Sequence, residues 1–301
     1  KKENKNEVIT VKNCNLVDRD FNLILNKVLN YCRKKGLKSY NIKENKGYLK
    51  NLIIRKGLKS GEILINLITT TPSHHDFLKL TPKLKNLNYQ GQLVGILHTH
   101  QNANFSDKNI SVLSGRNYFH ENILDFKFKI TPFSFFQVNS YASEKLFQLV
   151  ANLAGDLENK TVFDLYCGTG TIGEILAPRA RKVIGIEIHQ KTVTIARENA
   201  KLNSLDNCNF YSGKVLEKIE KIDQKPDLII LDPPRPGIQY QALEKIIEFN
   251  SPEIIYISCN PETLVRDLHY INNIYQIREV KCIDMFPHTD HIETCCHLVK
   301  K

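Results

Sequence analysis

"FDLYCGTGTIG", residues 163–173, decides the fold of this chain. A short apolar run ends in a glycine-rich turn, and a helix-like segment follows. Gly168 and Gly170 let the backbone turn tightly and approach a ligand closely. Such a turn alone occurs in many folds, so its neighbours give it meaning. "TVFDLYCG", "KVIGIEI", "DLIILDPP" and "EIIYISCN" are short, β-rich and almost wholly apolar. Helical patterns at 171–179, 189–203 and 239–248 lie between them. Continuous apolar strands separated by helices predict a parallel sheet covered on both faces. "IYQIREVKCIDMF" and "TCCHLVKK" are expected to close that sheet as antiparallel strands. The expected fold is a doubly wound α/β domain over 131–301.

Open α/β sheets bind ligands at the carboxyl ends of their strands. Four residue positions end there. Glu187 closes "KVIGIEI", where a carboxylate can accept both hydroxyls of a ribose. That suits a dinucleotide or S-adenosylmethionine. Asp164, just ahead of the glycine turn, is poorly placed beside a pyrophosphate and favours the latter. Asp232 ends "LIILDPPRPG". Arg235 stands where an amino-group methyltransferase would carry an aromatic residue, which argues against methylation of an exocyclic amine. Cys259 ends "EIIYISCN" on the same edge. A thiol there can be a core residue or a nucleophile. "PHTDHIETC" adds His288, Asp290, His291 and Glu293, in a spacing that matches no common zinc pattern, so no metal is expected.

Residues 1–130 hold 23 Lys/Arg against 10 Asp/Glu, whereas 131–301 hold 19 against 22. The whole positive excess therefore sits in the first segment, as in a module that binds a polyanion. Phe21, Leu25, Val28, Leu29 and Cys32 predict a helix over 18–36, stopped by Gly36. "GYLKNLIIRKG", "GEILINLITT" and "QLVGILHTH" read as strands, with a helix at 74–87 and a hairpin at 114–130. This is a smaller α+β domain whose neighbouring strands are expected to pair.

The composition, 42% hydrophobic and 25% charged, is that of a globular domain. No apolar run is long enough to span a bilayer. The charged start Lys1–Lys5 has no apolar segment behind it, so a signal peptide is not expected. Eight cysteines show no C-x-x-C pair, which predicts reduced thiols and a cytoplasmic location.

A thiol, a carboxylate and a methyl donor together suit one reaction. C5 of uracil is a poor nucleophile. Addition of a thiolate at C6 makes an enolate whose C5 can attack a sulfonium methyl, and a base then removes the C5 proton. Here the sequence resembles the RNA uracil-5-methyltransferases, which make 5-methyluridine in tRNA and 23S rRNA. The resemblance rests on "FFQVN" (135–139), "DLYCGTG" (164–170), "LDPPRPG" (231–237) with "YISCNPETLVRD" (256–267), and "PHTDHIET" (287–294). It implies a Rossmann-like class I methyltransferase domain that uses S-adenosylmethionine. It also implies Cys259 as nucleophile and Glu293 as base, with Gln137, Tyr166, Glu187 and Asp232 at the cofactor. Arg235 matches the arginine of the family's D-P-[PA]-R motif. The layout looks more like the bacterial 23S rRNA enzymes than the tRNA enzymes, and a monomer is expected. Many relatives carry a β-barrel RNA-binding module and four iron–sulfur cysteines ahead of the catalytic domain. Neither pattern is present, Cys14 and Cys32 being too few, so no cluster is expected. RNA binding would then rest on residues 1–130, with Phe133, Phe135 and Phe136 available to stack on an extruded base.

Overall fold

The computed structural model describes residues 13–70, 75–101, 108–219 and 221–301. The charged start of the chain lies outside them. Contacts divide the chain into two units, Lys1–His120 and Glu121–Lys301. Among the described residues, no helix is long and apolar enough to cross a membrane.

The first unit opens with α1 (Arg19–Lys34), β1 (Leu49–Lys56) and β2 (Glu62–Thr69). It continues with the short helices α2 (His75–Leu78) and α3 (Thr81–Lys85), then β3 (Gln92–Gln101) and β4 (Lys108–Gly115). The Asp18 carboxylate caps α1 by accepting from Asp20 N–H (2.8 Å). Gly36 follows the helix at φ +63°, the left-handed conformation that favours glycine. The buried stripe of α1 is Ile24, Val28, Tyr31 and Cys32. Leu25, expected on that stripe, points out instead. The sheet order is β1-β2-β3-β4. Neighbours in sequence do pair, but β2 and β3 run parallel, which the helical crossover allows. Helix α1 packs Ile24 and Val28 against Ile63, Ile65 and Ile96 of the sheet.

The second unit contains the hairpin strand β6 (Phe126–Ile130), paired with β5 (Phe119–Ile123), and then α4 (Ser140–Leu153). The α/β alternation follows: β7 (Thr161–Leu165), α5 (Thr171–Leu176), β8 (Lys182–Glu187), α6 (Gln190–Leu202), β9 (Cys208–Ser212), α7 (Val215–Ile219), β10 (Leu228–Leu231), α8 (Tyr240–Glu248), β11 (Glu253–Ser258) and α9 (Pro261–Ile271). The long strands β12 (Tyr275–Ile283) and β13 (Glu293–Lys300) end the chain. The order β12-β13-β11-β10-β7-β8-β9 is parallel from β11 to β9, with β13 antiparallel to both of its neighbours. This is the expected doubly wound sheet closed by two antiparallel strands.

Four sequence expectations need correction. The hairpin spans 119–130, and residues 108–115 form the separate edge strand β4, whose Asn and Ser content hid it. The helix expected at 74–87 is two short pieces that break at residues 79–80, with Pro82 in the first turn of the second, and residue 74 lies outside the described residues. Strand β9 was not anticipated, because "CNFYS" carries only one buried residue, Phe210. The division falls after His120, ahead of residue 130. The physical reason is the grip of α6 on β6: Lys127 N–H and Lys129 N–H donate to the Asn203 (2.9 Å) and Asn199 (2.8 Å) side-chain oxygens.

In the first unit Asp20 has no exposure. Its carboxylate accepts from Gln90 N–H and Gly91 N–H and from Lys56 Nζ, each at 2.9 Å. Lys56 also reaches Asp18 (2.7 Å). Burial alone would raise the Asp20 carboxyl, but the Lys56 ammonium and the two peptide donors outweigh it and hold it below its ordinary value. Asp20→Ala leaves a buried ammonium short of a partner and two peptide N–H groups unpaired. It should destabilise the protein by about 3–5 kcal/mol, read as an earlier urea transition. A carboxyl lowered by folding stabilises above its unfolded value of about 4 and loses that contribution as pH falls through the folded value. The gap between wild type and Asp20→Ala should therefore close in acid.

Candidate functional site

Strand register brings most of the expected residues to one edge. Leu165 pairs with Leu231 and with Ile186, so Tyr166 is flanked by Asp232 on one side and Glu187 on the other. Asp232 N–H donates back to Leu165 O (3.4 Å). On the far side of β10, Ser258 pairs with Thr294 in antiparallel register. The next position of each strand sets Cys259 opposite Glu293. Residues 34 apart in sequence thus meet at the carboxyl edge of the parallel strands.

The turn after β7 is built by strain that glycine relieves. Gly168 and Gly170 sit at φ +52° and +83°. Tyr166 takes φ +68° without that relief, a conformation tolerated where surrounding structure enforces it. Asp164 is buried, with Oδ2 accepting from Gly173 N–H (2.9 Å) and so fastening α5 to β7. Its Oδ1 is buried without a partner. Glu174, not anticipated as a site residue, is also fully buried. It takes Asn203 Nδ2 on one oxygen (3.1 Å) and leaves the other unpaired. Glu187 Oε1 accepts from His189 N–H (2.9 Å), which orients its carboxylate.

The segment that carries Gln137 is tied to the loop between β12 and β13. Asn139 caps α4 and donates from Nδ2 to Met285 O (3.1 Å), in the loop between β12 and β13. Gln137 is half-buried two residues before that tie, and register does not place it. Of the three phenylalanines, Phe136 is a correction. It is buried, with its ring 5.9 Å from Phe128, and is unavailable to a base. Phe133 is half-buried, and Phe135 is 73% exposed.

Burial dominates the electrostatics. It pushes Glu293 up to about 7. It pushes Asp232 to about 8, with Glu293 and Asp164 adding to it. It pushes Asp164 to about 7, with help from Glu187, and Glu174 to about 9. Burial likewise raises the Cys259 thiol, Glu293 and Asp232 raise it further, and Arg235 opposes them. Carboxyls crowded in a poorly solvated place favour their neutral forms, and a bound cation reverses that preference. The edge therefore suits a positively charged ligand. Arg235 Nη2 lies 3.2 Å from His291 Nδ1, two residues before Glu293.

Comparison with known proteins gives a consistent result. The family model described as tRNA (uracil-5-)-methyltransferase matches residues 2–301. A chain described as an "uncharacterized RNA methyltransferase" from Clostridium tetani is 52% identical over 299 residues, covering 98% of this chain and 65% of that one. One with the same description from Enterococcus faecalis is 34% identical, covering 99% and 66%. The chain thus spans about two-thirds or slightly less of the length of these relatives. Among solved structures, the tRNA (uracil-54, C5)-methyltransferase of Pyrococcus abyssi, in complex with S-adenosyl-L-homocysteine, superposes with a TM-score of 0.80 at 26% identity. It covers 97% of this chain and 70% of that one. A tRNA m1G37 methyltransferase from M. jannaschii (TM-score 0.53, 14% identity, covering 87% and 78%) shares the fold alone.

The raised Glu293 carboxyl has a measurable consequence. Folding favours its neutral form, so its contribution to stability is full below the unfolded value near 4.5 and is lost as pH rises through about 7. Glu293→Gln cannot ionise. In the ligand-free protein this variant should gain stability relative to wild type between pH 5 and pH 8, by up to about 3 kcal/mol. Thermal melts at both values check it. A difference that stays constant between them would return Glu293 to an ordinary carboxylate.

Proposed function

Since the chain belongs to the tRNA (uracil-5-)-methyltransferase family, whose model it matches over residues 2–301, we propose that it methylates C5 of a uridine in RNA. The observation that carries this reading is the register that opposes Cys259 to Glu293 at the ligand edge of the sheet. The cofactor is S-adenosylmethionine, which supplies an electrophilic methyl on a sulfonium. Three features fit it: the turn at Gly168 and Gly170, the unpaired Asp164 Oδ1, and an edge of carboxyls that a cation would ionise. Glu187 would accept from the ribose hydroxyls. Tyr166 and Asp232 stand beside it at the same strand ends, and the family resemblance adds Gln137.

In this mechanism the Cys259 thiolate adds to C6 of uracil and forms an S–C6 bond, which moves electron density to C5. C5 would take the methyl as the S–CH3 bond of the sulfonium breaks and leaves a neutral thioether, and Glu293 then removes the C5 proton. The electron pair left behind re-forms the C5–C6 double bond and expels the Cys259 thiolate. Glu293 has the burial to serve as a base near neutral pH. Cys259 stands at the mouth of α9, whose amino end favours the thiolate, as does Arg235.

RNA is drawn by the excess of Lys/Arg in residues 1–130. Phe135, fully available on its loop, is suited to stacking. The sequence layout favours 23S rRNA as substrate. The likeness to the P. abyssi tRNA enzyme favours tRNA as a second reading. The protein acts in the cytoplasm in either case. Mapping 5-methyluridine in total RNA with and without the protein separates the two.

A denaturing gel with radiolabelled methyl donor tests the chemistry. Wild type should release labelled RNA, and Cys259→Ala should label nothing. Glu293→Gln should leave a labelled band at the mass of protein plus RNA, because C5 deprotonation stalls. A 5-fluorouridine substrate should trap wild type in the same way. An active Cys259→Ala protein would sink the mechanism. Binding of RNA should also weaken steeply with salt. Joint charge reversal of Arg33, Lys34 and Lys35, all exposed at the end of α1, should reduce it without altering cofactor affinity. RNA binding indifferent to that change would leave this patch a solvated helix end.

A further inference from the structure

The loop that follows β10, residues 232–238, reads Asp-Pro-Pro-Arg-Pro-Gly-Ile. Three prolines remove three N–H donors, so the loop has little means of holding itself. One internal bond remains, from Gly237 N–H to Pro234 O (2.8 Å). From Arg235 O to Ile238 O, the loop's backbone bonds go to α9 and its Asn260 cap. Arg235 O accepts from Asn260 Nδ2 (3.3 Å) and Thr263 Oγ1 (3.2 Å). Pro236 O and Ile238 O accept from Arg266 Nη2 (3.0 and 3.3 Å). Ile238 N–H donates to Asp267 Oδ2 (2.9 Å).

Asp267 is the centre of this arrangement. It is 1% exposed, yet it lies on the apolar face of α9 between Leu264 and Ile271. Oδ2 also accepts from the buried Tyr256 hydroxyl (2.6 Å), and Oδ1 takes both Arg266 Nε (2.8 Å) and Nη2 (2.6 Å). Its four donors come from β11, from α9 and from the loop. Gly237, at φ +76°, leaves the space the clamp needs. A Cβ there would stand 2.5 Å from Arg266 Nη2 and 2.7 Å from Asp267 Oδ2. Cys259 stands directly before the Asn260 cap of the same helix. One helix therefore holds the thiol at its start and the Asp232–Arg235 loop along its side.

We propose that Asp267 is a positioning residue, which through α9 sets the loop bearing Asp232 and Arg235 in place against the Cys259 thiol. The inference rests on Cys259 being the nucleophile. Asp267→Asn keeps the shape but turns an N–H group toward the Tyr256 and Ile238 donors. The full chain should then lose about 10–100-fold in kcat at saturating RNA and cofactor, as a displaced reacting geometry does. Amide exchange in residues 232–239 should quicken, while the interior of β10 stays protected. Gly237→Ala should produce the same loss from the loop side, and the double variant should lose no more than the worse single one. Tyr256→Phe, which removes one donor only, should shift both readouts less and in the same direction. An Asp267→Asn protein with wild-type kcat or unchanged exchange in 232–239 overturns the proposal. Where Asp267→Asn does not fold, unchanged readouts in Tyr256→Phe overturn it instead. A wild-type protein that places no methyl on uridine C5 overturns the reaction assigned above, and the exchange measurement still decides the clamp.

Discussion

The antiparallel pairing of β13 with β11 is the constraint on which the site depends. Side chains in strands alternate with a period of two, so a slip of one residue would send every one of them to the other face. Ser258 opposite Thr294 leaves no such freedom. The pairing is secured by a buried interior, with Cys295 and Cys296 at 0% exposure between β11 and β12. These two thiols serve as small core residues rather than reactive groups, and burial raises both.

Around that pairing, rigidity is supplied by buried polar contacts rather than by packing alone. Asp164 ties the glycine turn to α5, and Asp267 ties the proline-rich loop to α9. Both are carboxylates nearly without exposure, and each grips backbone N–H groups. A buried carboxylate is tolerable when donors surround it. Asp267 meets that condition. Asp164 meets it on one oxygen only.

The same low solvation shapes the chemistry. Glu293, Asp232 and Asp164 each lie above the ordinary carboxylate range because burial keeps water from them, and neighbouring carboxylates add to this for Asp232 and Asp164. A base with a value near neutrality is useful, whereas a thiol held up by neighbouring carboxylates is not reactive by itself. Arg235 and the start of α9 pull the other way.

Much of this was legible in the chain. Apolar runs alternating with helical spacing specified a doubly wound sheet. The ends of those runs named Glu187, Asp232 and Cys259 as neighbours, because parallel strands present their carboxyl ends on one edge, and the family resemblance added Tyr166. Other features were not legible. Strand β9 and helix α4 carry weaker patterns than the elements around them, and tertiary contacts settle both. Phe135 and Phe136 are identical in sequence, and only packing against Phe128 separates the exposed ring from the buried one. Asp267 carried a signal in its place on an apolar helical face, but its partners Tyr256, Ile238 and Arg266 become neighbours only when α9 lies along the loop. Sequence periodicity reports which face of an element is buried. Which buried groups meet, and hence which carboxyls lose their water and which find donors, is decided by packing between elements distant in the chain.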